Sequence, residues 1–344
     1  MLIGELGPDR EAEWDRFVMA CPEATFFHRA GWRTVIERAF GHPAHFLYAE
    51  RNGRIAGVLP LVRLRGRPFA NGLISLPFCV GGGIAAGEDE GARQALDARA
   101  VALMGETGAD WLEYRDPARP IAGRTRREGL YASFARAIER DEAANLKQIP
   151  RKQRAVLRKA LEAGDLACCD DADPDHFHAL YAESVRNLGT PVFSKRYLET
   201  LMRVFGQDCE IATVRKAGRP VAGVMTFWFR DRVMPYYAGA RPEARGLGAH
   251  DLLYWRLMRR AVEDRGCAIF DFGRSKVGSG PWSFKRNWGF EPRPVAHEFR
   301  LAEGIAPPDL NPNNPRYHAV IAAWKRLPLP VANLFGPMLA RRIG

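Results

Sequence analysis

Two stretches of the chain carry the hydrophobic pattern of a β-hairpin. Residues 45–61 and residues 210–227 each read as an apolar strand, a turn carrying Asn-Gly or Ala-Gly, and a second apolar strand. With one inserted residue, the turn and second strand that begin at Gly53 match those that begin at Gly218. Two unrelated hairpins with common turn chemistry would give the same match, so the flanking elements decide whether the chain contains a repeat.

The flanking elements also repeat. Helix-like sequence precedes each hairpin, at 11–20 and 31–40 in the first half and at 174–188 and 195–205 in the second. A strand, a helix and another strand follow each hairpin, at 73–80, 90–107 and 111–114 in the first half and at 233–239, 249–265 and 268–272 in the second. This repetition predicts a duplicated α/β unit. We expect a first unit at 1–142, a second at 143–303, and a linker with a C-terminal tail at 304–344.

Composition limits the class of protein. The 344 residues are 47% hydrophobic and 26% charged, which is typical of a globular chain with a sizeable core. A net charge of +11 favours an anionic partner such as nucleic acid, nucleotide, CoA or a membrane surface, without choosing among them. The six cysteines have no metal-ligand spacing and are expected to be reduced thiols, with no metal site. Neither a signal peptide nor a membrane-spanning apolar run is recognised, so a cytoplasmic protein is expected.

The segment 268–291 has the highest density of candidate chemistry. A buried strand at 268–272 is expected to lead into a glycine-rich loop and then an aromatic-rich run at 282–290. Glycines let the backbone approach a ligand closely, and cations beside exposed N–H groups form an anion pocket. A basic surface loop whose aromatics only pack is the alternative. The cations set among these glycines are Arg274, Lys276, Lys285 and Arg286.

A basic stripe precedes the second unit. Lys147, Arg151, Arg154 and Arg158 are spaced at helical steps of three or four residues, so they share one helix face. Such a face suits tRNA or a phosphate-bearing acceptor, and an ordinary solvated helix face fits the pattern as well.

The C-terminal tail is apolar in its middle and basic at both ends. Residues 324–342 are too short and too rich in proline to span a bilayer, but they suit an interface beside anionic lipids. Packing back onto the first unit is the alternative.

The order of these motifs resembles the FemAB family, whose members contain two GNAT-like (acetyltransferase-like) folds in one chain. The resemblance covers most of the chain and is strongest from about Leu146 to Phe290. It implies an α/β fold of two tandem GNAT-like units with mixed sheets flanked by helices. The motifs look most similar to those of the subgroup associated with exosortase and exopolysaccharide loci, and they comprise the basic run 147–164, Asn187 to Lys195, Pro235 to Gly239 and Phe270 to Lys276.

FemAB proteins attach amino acids, delivered on aminoacyl-tRNA, to amino groups of cell-wall precursors. The resemblance implies that Phe284 and Lys285 match the family's Phe-Lys pair at the catalytic site. Asp271 is expected to orient Lys285 or Arg274 or to act as a base, and an ion pair that ends the strand is the alternative. A fixed ammonium stabilises an oxyanion or a phosphate, and we expect Lys285 to line the deepest cleft between the units and to contribute little to folding. The expected substrate-binding residues are Arg274, Ser275, Lys276, Tyr236, Tyr237 and Arg286.

Two family features are missing from this chain. The family's lysine that contacts the nucleotide-linked precursor is replaced by Ile36, and a phosphate-binding arginine is absent from the stretch 190–193. A UDP-linked muropeptide is therefore not the expected acceptor.

The donor is a separate question. Residues 242–254 resemble the pyrophosphate loop of acetyl-CoA-dependent GNAT enzymes, although Glu243 stands where that loop has Gln or Arg. Helix N-termini bind pyrophosphate well, and an ordinary glycine-containing helix start is the alternative. The residues expected to bind the donor are Arg245, Gly246, Gly248 and Ala249.

The leading hypothesis is an acyl- or aminoacyltransferase that acts on an amine of a cell-envelope or exopolysaccharide precursor. Its alternatives are a CoA-dependent N-acyltransferase with a small or lipid amine, and a non-catalytic GNAT repeat that scaffolds polysaccharide assembly. The expected donor is acyl-CoA or aminoacyl-tRNA, with no tightly bound cofactor and no DNA partner. The expected location is the cytoplasm, with peripheral contact at the inner membrane face through the tail.

Overall fold

The computed structural model describes residues 1–66, 70–306, 308 and 315–343, so most of the linker predicted after residue 306 lies outside the described residues. The chain forms two compact units. One contains 1–129, 295–311 and 341–344, and the other contains 130–294 and 312–340. We call them unit 1 and unit 2.

Unit 1 is built on a mixed sheet of seven strands. Their order is β1-β2-β3-β4-β5-β14-β6, with β4 and β5 parallel and the other neighbours antiparallel. The elements are β1 (Leu2–Glu5), α1 (Glu11–Ala20), α2 (Gly31–Phe40), β2 (Ala44–Arg51), β3 (Arg54–Gly66), β4 (Ala70–Ile74), α3 (Glu90–Glu106), β5 (Trp111–Arg115), β6 (Thr125–Arg127) and β14 (His297–Leu301).

Unit 2 repeats this architecture. Its sheet has the order β13-β7-β12-β11-β10-β9-β8, with β11 and β12 parallel. The strands are β7 (Tyr131–Ala137), β8 (Leu166–Asp170), β9 (Cys209–Lys216), β10 (Arg219–Phe229), β11 (Arg232–Ala240), β12 (Ile269–Lys276) and β13 (Arg293–Pro294). The helices are α4 (Glu142–Gln148), α5 (Arg151–Glu162), α6 (Pro174–Leu188), α7 (Lys195–Phe205), α8 (Ala244–Leu247), α9 (Ala249–Glu263) and α10 (Gly280–Asn287), followed late in the chain by α11 (Pro315–Arg326) and α12 (Leu329–Ile343).

The two predicted hairpins are confirmed as equivalent elements of two separate sheets. Asn52 and Gly53 turn the first hairpin and Ala217 and Gly218 the second, and all four residues have positive φ, as tight hairpin turns require. Both second strands carry a bulge next to the turn. The predicted α/β fold of two repeated units with mixed sheets and flanking helices is therefore confirmed.

The units are not divided where the sequence repeat is. Strand β7 follows the first repeat in the chain yet pairs with β12, and β14 follows the second repeat yet pairs with β5. Each sheet thus takes its sixth strand from the end of the other repeat. This exchange explains why the compact units differ from the contiguous segments 1–142 and 143–303 that the repeat predicts.

Two predicted strand ends differ from the structure. The strand expected at 73–80 ends at Ile74, and Leu76 and Phe78 then adopt positive φ. The strand expected to end at Phe272 continues to Lys276, because Gly273 at φ +64° forms a bulge and the following residues pair with β7. The glycine-rich loop is therefore shorter than expected.

The core of unit 2 fixes α9 against the sheet. Met258 on α9, Phe270 on β12 and Trp288 after α10 are fully buried together, and burying side chains of this size contributes roughly 1.5–3 kcal/mol each. This packing places the second half of α9, the start of β12 and the end of α10 in one core.

The tail helices α11 and α12 pack on unit 2 up to residue 340, and the end of the chain belongs to unit 1. Ile321 on α11 lies against Gly189, and the Arg186 guanidinium donates to the carbonyl of Leu327 at 3.1 Å. The expectation that the tail packs on the first unit therefore holds only for its last residues. Among the described residues, every helix is too short or too polar to cross a membrane.

Candidate active site

The parallel strands of unit 2 separate toward their carboxyl ends. β11 and β12 pair only at Arg232 with Ile269 and at Val233 with Phe270, although β11 runs on to Ala240 and β12 to Lys276. Ligands of open α/β sheets bind beyond the carboxyl ends of parallel strands. The unpaired edges of β11 and β12 therefore define the candidate site.

Lys285 is buried beneath this edge. Its side chain comes from α10, and its ammonium donates to the carbonyl oxygens of Phe272 at 2.6 Å, Gly273 at 3.1 Å and Arg274 at 3.1 Å. Burial lowers the pKa of Lys285 to about 7, and Asp271 acts in the opposite direction. All three donors of the ammonium are used by the backbone, so Lys285 is a buried structural contact here rather than a free cleft cation.

Asp271 has a different partner from those expected. Its carboxylate accepts from the Arg232 guanidinium at 2.9 Å and from the backbone N–H of Gly273 at 2.7 Å. Asp271 therefore joins β12 to the start of β11 and caps the bulge, and its contact with Lys285 is only electrostatic.

The other predicted cations of the segment do not form one cluster. Arg274 and Lys276 lie two residues apart on β12, on the same side of the strand, and the Arg274 guanidinium stacks over the ring of Tyr131 at 4.6 Å. Burial lowers the pKa of Lys276. Ser275 is buried between them, while Arg286 is exposed on α10 and lies over Trp282 at 4.7 Å.

Phe284 packs in an aromatic cluster that sequence reasoning only partly anticipated. Its ring lies 5.7 Å from Tyr254, 6.3 Å from Phe272 and 6.3 Å from His250. Burial and the nearby Arg245 lower the pKa of His250 to about 4, so the imidazole is neutral near pH 7. His250 and Tyr254 thereby connect the start of α9 with the Phe-Lys pair.

The two tyrosines of the Pro235 motif have separate environments. Tyr237 is buried, and its hydroxyl bonds that of Tyr197 at 2.8 Å, so it anchors α7 to β11. Tyr236 is half-buried on the unpaired edge of β11, close to Gly273 of β12. Of the two, Tyr236 is the one placed at the strand opening.

Two of the four predicted donor-binding residues lie in a short helix rather than in an open loop. Arg245 and Gly246 lie exposed in the one-turn helix α8, and Gly248 at φ +65° joins α8 to Ala249, the first residue of α9. A Cβ on Gly248 would lie 3.1 Å from Ala160 and 3.3 Å from Val156, both on α5. The start of α9 is therefore covered on one side by α5.

A buried carboxylate also occupies the first turn of α9. Asp251 accepts hydrogen bonds from Gln153 on α5 and from the Trp288 indole at 2.8 Å, and burial raises its pKa. Sequence reasoning missed this residue. Its position in the first turn of a helix that follows a glycine was the available signal.

The cations of the predicted basic stripe do not share one helix face, because they are divided between α4 and α5. The helices break at Ile149 and Pro150, so Lys147 is on α4 and the others are on α5. Arg154 is half-buried. Among the described residues, none of these cations has an acidic partner. The exposed cations are Lys147, Arg151, Lys152, Arg158 and Lys159.

A groove of about 470 Å³ lies between α5, β8 and the later turns of α9. Two of its arginines are neutralised by ion pairs, Arg259 with Glu263 and Arg260 with Asp170. None of the predicted site residues lines this groove. The strand opening therefore remains the better candidate for the reacting groups.

Comparison with known proteins gives the class of fold. Residues 147–286 match the family profile of the acetyltransferase (GNAT) domain. The crystal structure of FemX is similar to this fold with a TM-score of 0.69 and 14% identity, covering 93% of this chain and 100% of that one. No curated protein matches the chain in sequence.

Two further solved structures share the fold. The structure of L-PGS from Bacillus licheniformis has a TM-score of 0.56 and 15% identity, covering 99% of this chain and 98% of that one. A tandem GNAT protein from the clavulanic acid biosynthesis pathway has a TM-score of 0.55 and 13% identity, covering 89% of this chain and 99% of that one. Residues 147–286 thus match a GNAT-type acetyltransferase domain, and the whole chain shares the fold of these solved structures.

Proposed function

We propose that the protein transfers an aminoacyl or related acyl group from a tRNA to an amine of a cell-envelope or exopolysaccharide precursor. The observation that carries the proposal is the exposed basic face of α5, a helix whose Val156 and Ala160 pack against the start of α9 at Gly248. A row of exposed cations without acidic partners suits a long polyanion, because each phosphate contact releases counterions.

Three features of unit 2 argue against the usual placement of a CoA diphosphate at the start of α9. Helix α5 packs so closely on Gly248 that a Cβ there would lie 3.1 Å from the side chain of Ala160. Arg245 and Gly246 belong to α8 and not to a free loop. The carboxylate of Asp251 adds a negative charge where a diphosphate would need positive potential. A tRNA bound along the exposed face of α5 would meet none of these three obstacles.

The reaction itself requires little covalent chemistry from the protein. The neutral amine of the acceptor attacks the carbonyl carbon of the donor, a C–N bond forms, and the ester C–O bond of the aminoacyl-tRNA breaks. The proton lost from the amine neutralises the departing ribose oxygen. Hydrogen-bond donors aimed at the intermediate oxyanion accelerate such a reaction. The proposal puts this oxyanion beside the facing edges of β11 and β12, which do not pair with each other beyond Val233 and Phe270.

In this arrangement Lys285 is a positioning residue. It holds the carbonyls of Phe272, Gly273 and Arg274, and it thereby sets the path of β12 beside the opening. Tyr236 and Phe284 are the aromatic side chains next to that path. They would shield the reacting carbonyl from water.

The proposal is tested by binding measurements with charged tRNA and with acetyl-CoA at two salt concentrations. We expect the unchanged chain to bind tRNA with an affinity that falls steeply as the salt concentration rises. Each cation whose removal abolishes a phosphate contact should lower the slope of log affinity against log salt by roughly one. The variant replaces Arg151, Lys152, Arg158 and Lys159 by Gln. The control makes the same change of net charge at the exposed residues Arg16, Arg38, Arg54 and Arg203.

Loss of tRNA affinity in the α5 variant alone supports the proposal. Equal loss in both variants means that only the net charge matters, and this would contradict it. Saturable binding of acetyl-CoA with no tRNA binding favours the CoA-dependent N-acyltransferase, for which the exposed Arg245 and Gly246 are the specific observation. Binding of neither donor favours the non-catalytic scaffold.

A further inference from the structure

The C-terminal helix α12 turns an apolar face toward solvent. Val331, Leu334, Phe335 and Met338 are 36%, 68%, 49% and 60% exposed. They follow one another at steps of three, one and three residues, so they form a single stripe on the helix. Helices on the surface of a soluble protein normally turn such a stripe toward the core.

The orientation of α12 is fixed by small residues on its opposite face. Ala332, Gly336 and Ala340 are buried. A Cβ on Gly336 would lie 2.8 Å from the side chain and 3.0 Å from the backbone nitrogen of Val192. Because only glycine fits this contact, the helix cannot rotate its larger apolar side chains inward without losing its docking on unit 2.

The stripe is flanked by positive charge only. Lys325 and Arg326 end α11 just before it, and Arg341 and Arg342 lie in the last turn of α12. The described residues 315–343 contain no Asp or Glu. An apolar stripe between cationic ends is the chemistry of a helix that lies in the interface of an anionic bilayer.

We propose that α12 is a membrane-surface helix that holds the enzyme against anionic phospholipid. Its 15 residues extend about 22 Å along the bilayer plane at 1.5 Å per residue. The stripe enters the region between headgroups and acyl chains, and the arginines at its end contact lipid phosphates. If the acceptor of the proposed transfer reaction is carried on a lipid, it would lie on the same membrane surface as the enzyme. This part of the inference rests on the proposed function.

A second copy of the chain is a poorer occupant of this face. A two-fold dimer brings the same patch against itself, so the cations at both ends of the stripe would face cations. Four apolar side chains are also few compared with the roughly 20–30 residues on each side of a standard interface. A nucleic acid would match the charge but leave the apolar stripe exposed.

The test measures co-sedimentation of the full chain with vesicles of phosphatidylcholine alone and of phosphatidylcholine with 30% phosphatidylglycerol, a composition that gives a strongly negative surface of about −30 mV or more. We expect binding to the anionic vesicles. The double variant Leu334→Gln and Phe335→Gln should reduce it by at least about tenfold, since two large side chains no longer enter the interface. Arg341→Gln with Arg342→Gln should reduce binding to anionic vesicles selectively.

The matched control is Leu161→Gln with Leu188→Gln, which changes two comparably exposed leucines outside α12 and should bind like the unchanged chain. Thermal unfolding of each variant shows whether the fold is kept. Equal binding by the stripe variant and the control, or no binding by the unchanged chain, overturns the proposal. So does a dimer in sedimentation equilibrium that the stripe variant abolishes. The vesicle assay contains neither an acyl donor nor an acceptor, so a negative result does not bear on the transferase proposal. That proposal is tested by the binding measurements with tRNA and acetyl-CoA.

Discussion

The ammonium of Lys285 donates to the carbonyl oxygen of Phe272 at 2.6 Å, and the next two carbonyls along β12 turn to the same nitrogen. Successive carbonyls of a regular strand point in opposite directions. They converge here because Gly273 has a φ of +64° and interrupts the register of β12 with β7. Gly273 and Lys285 of the Phe-Lys pair thus form one local structure.

Replacing Lys285 should therefore destabilise the protein. Lys285→Met leaves three carbonyl acceptors without their donor, and each unsatisfied buried polar group costs about 1–3 kcal/mol. We expect a loss of at least about 2 kcal/mol in the free energy of unfolding, measured by urea denaturation. Lys152→Met on the exposed face of α5 is the control. Equal stability of the two variants would show that the ammonium contributes nothing to folding.

The pH dependence of stability should report the same group. The folded-state pKa of Lys285 is lowered to about 7 from 10.5, so between these values the unfolded chain binds a proton that the folded chain does not. The contribution of Lys285 to stability therefore rises from pH 7 to pH 10.5 and is lost as the pH falls through 7. The urea midpoint of the unchanged chain should therefore rise relative to that of Lys285→Met when the pH is raised from 7 to 9.5. Parallel changes would mean that the three carbonyls keep the lysine charged throughout.

Two glycines beside the site should respond in opposite ways to alanine. A Cβ on Gly239 of β11 would lie 2.4 Å from the backbone nitrogen of Tyr181, and backbone atoms cannot move aside cheaply. Gly239→Ala should cost several kcal/mol, as overpacked core positions do. At Gly246 in α8 nothing lies within 4 Å, so Gly246→Ala should be neutral or stabilising by about 0.4–1 kcal/mol. Similar melting temperatures for both variants would contradict this packing.

Asp251 distinguishes the two donors. Asp251→Asn keeps the oxygen that accepts from Trp288 and removes a negative charge from the first turn of α9. If a CoA diphosphate binds there, the variant should bind acetyl-CoA more tightly by a few-fold, because a charge at a helix start contributes about 0.3–1 kcal/mol. With tRNA as donor, we expect no change in acetyl-CoA titration. A clear gain in CoA affinity would count against the proposed function.

Unit 1 carries a buried charge cluster that should govern its acid stability. Burial raises the pKa of Glu113, but Arg115 and His297 together outweigh burial and lower it to about 2. The stability that the ionised Glu113 contributes with Arg115 and His297 is present above pH 4.5 and lost as the pH falls toward 2. Acid unfolding followed by circular dichroism should begin at a higher pH in Glu113→Gln. An unchanged acid midpoint would show that other carboxylates control the transition.

Much of the fold was predictable because its signals are local. The hairpin turns at Asn52 and Ala217 depend on adjacent residues, and the helices 31–40 and 174–188 begin and end where the sequence indicates. The partners of β7 and β14 were not predictable from the chain order, since both strands pair far from the repeat they follow. Nothing local in the sequence specifies that exchange.

In the candidate site, too, individual residues were predictable from the sequence but their long-range partners were not. Motif resemblance indicated Lys285 and Asp271, but their partners come from bonds to backbone carbonyls and to Arg232, which no spacing rule shows. His250 and Asp251 were missed because a histidine and an aspartate at a helix start have many ordinary roles. Whether the predicted residues carry out the reaction remains a prediction for the measurements above.

The exchange of β7 and β14 has a consequence for synthesis on the ribosome. The sheet of unit 1 lacks β14 until residue 301 has been translated, so the edge of β5 stays open while nearly all of unit 2 is made. A fragment that starts at residue 143 lacks β7 and leaves the edge of β12 unpaired, and such edges promote aggregation. Neither half is a self-contained segment of the gene, so truncation or domain grafting at the repeat boundary separates strands that belong together.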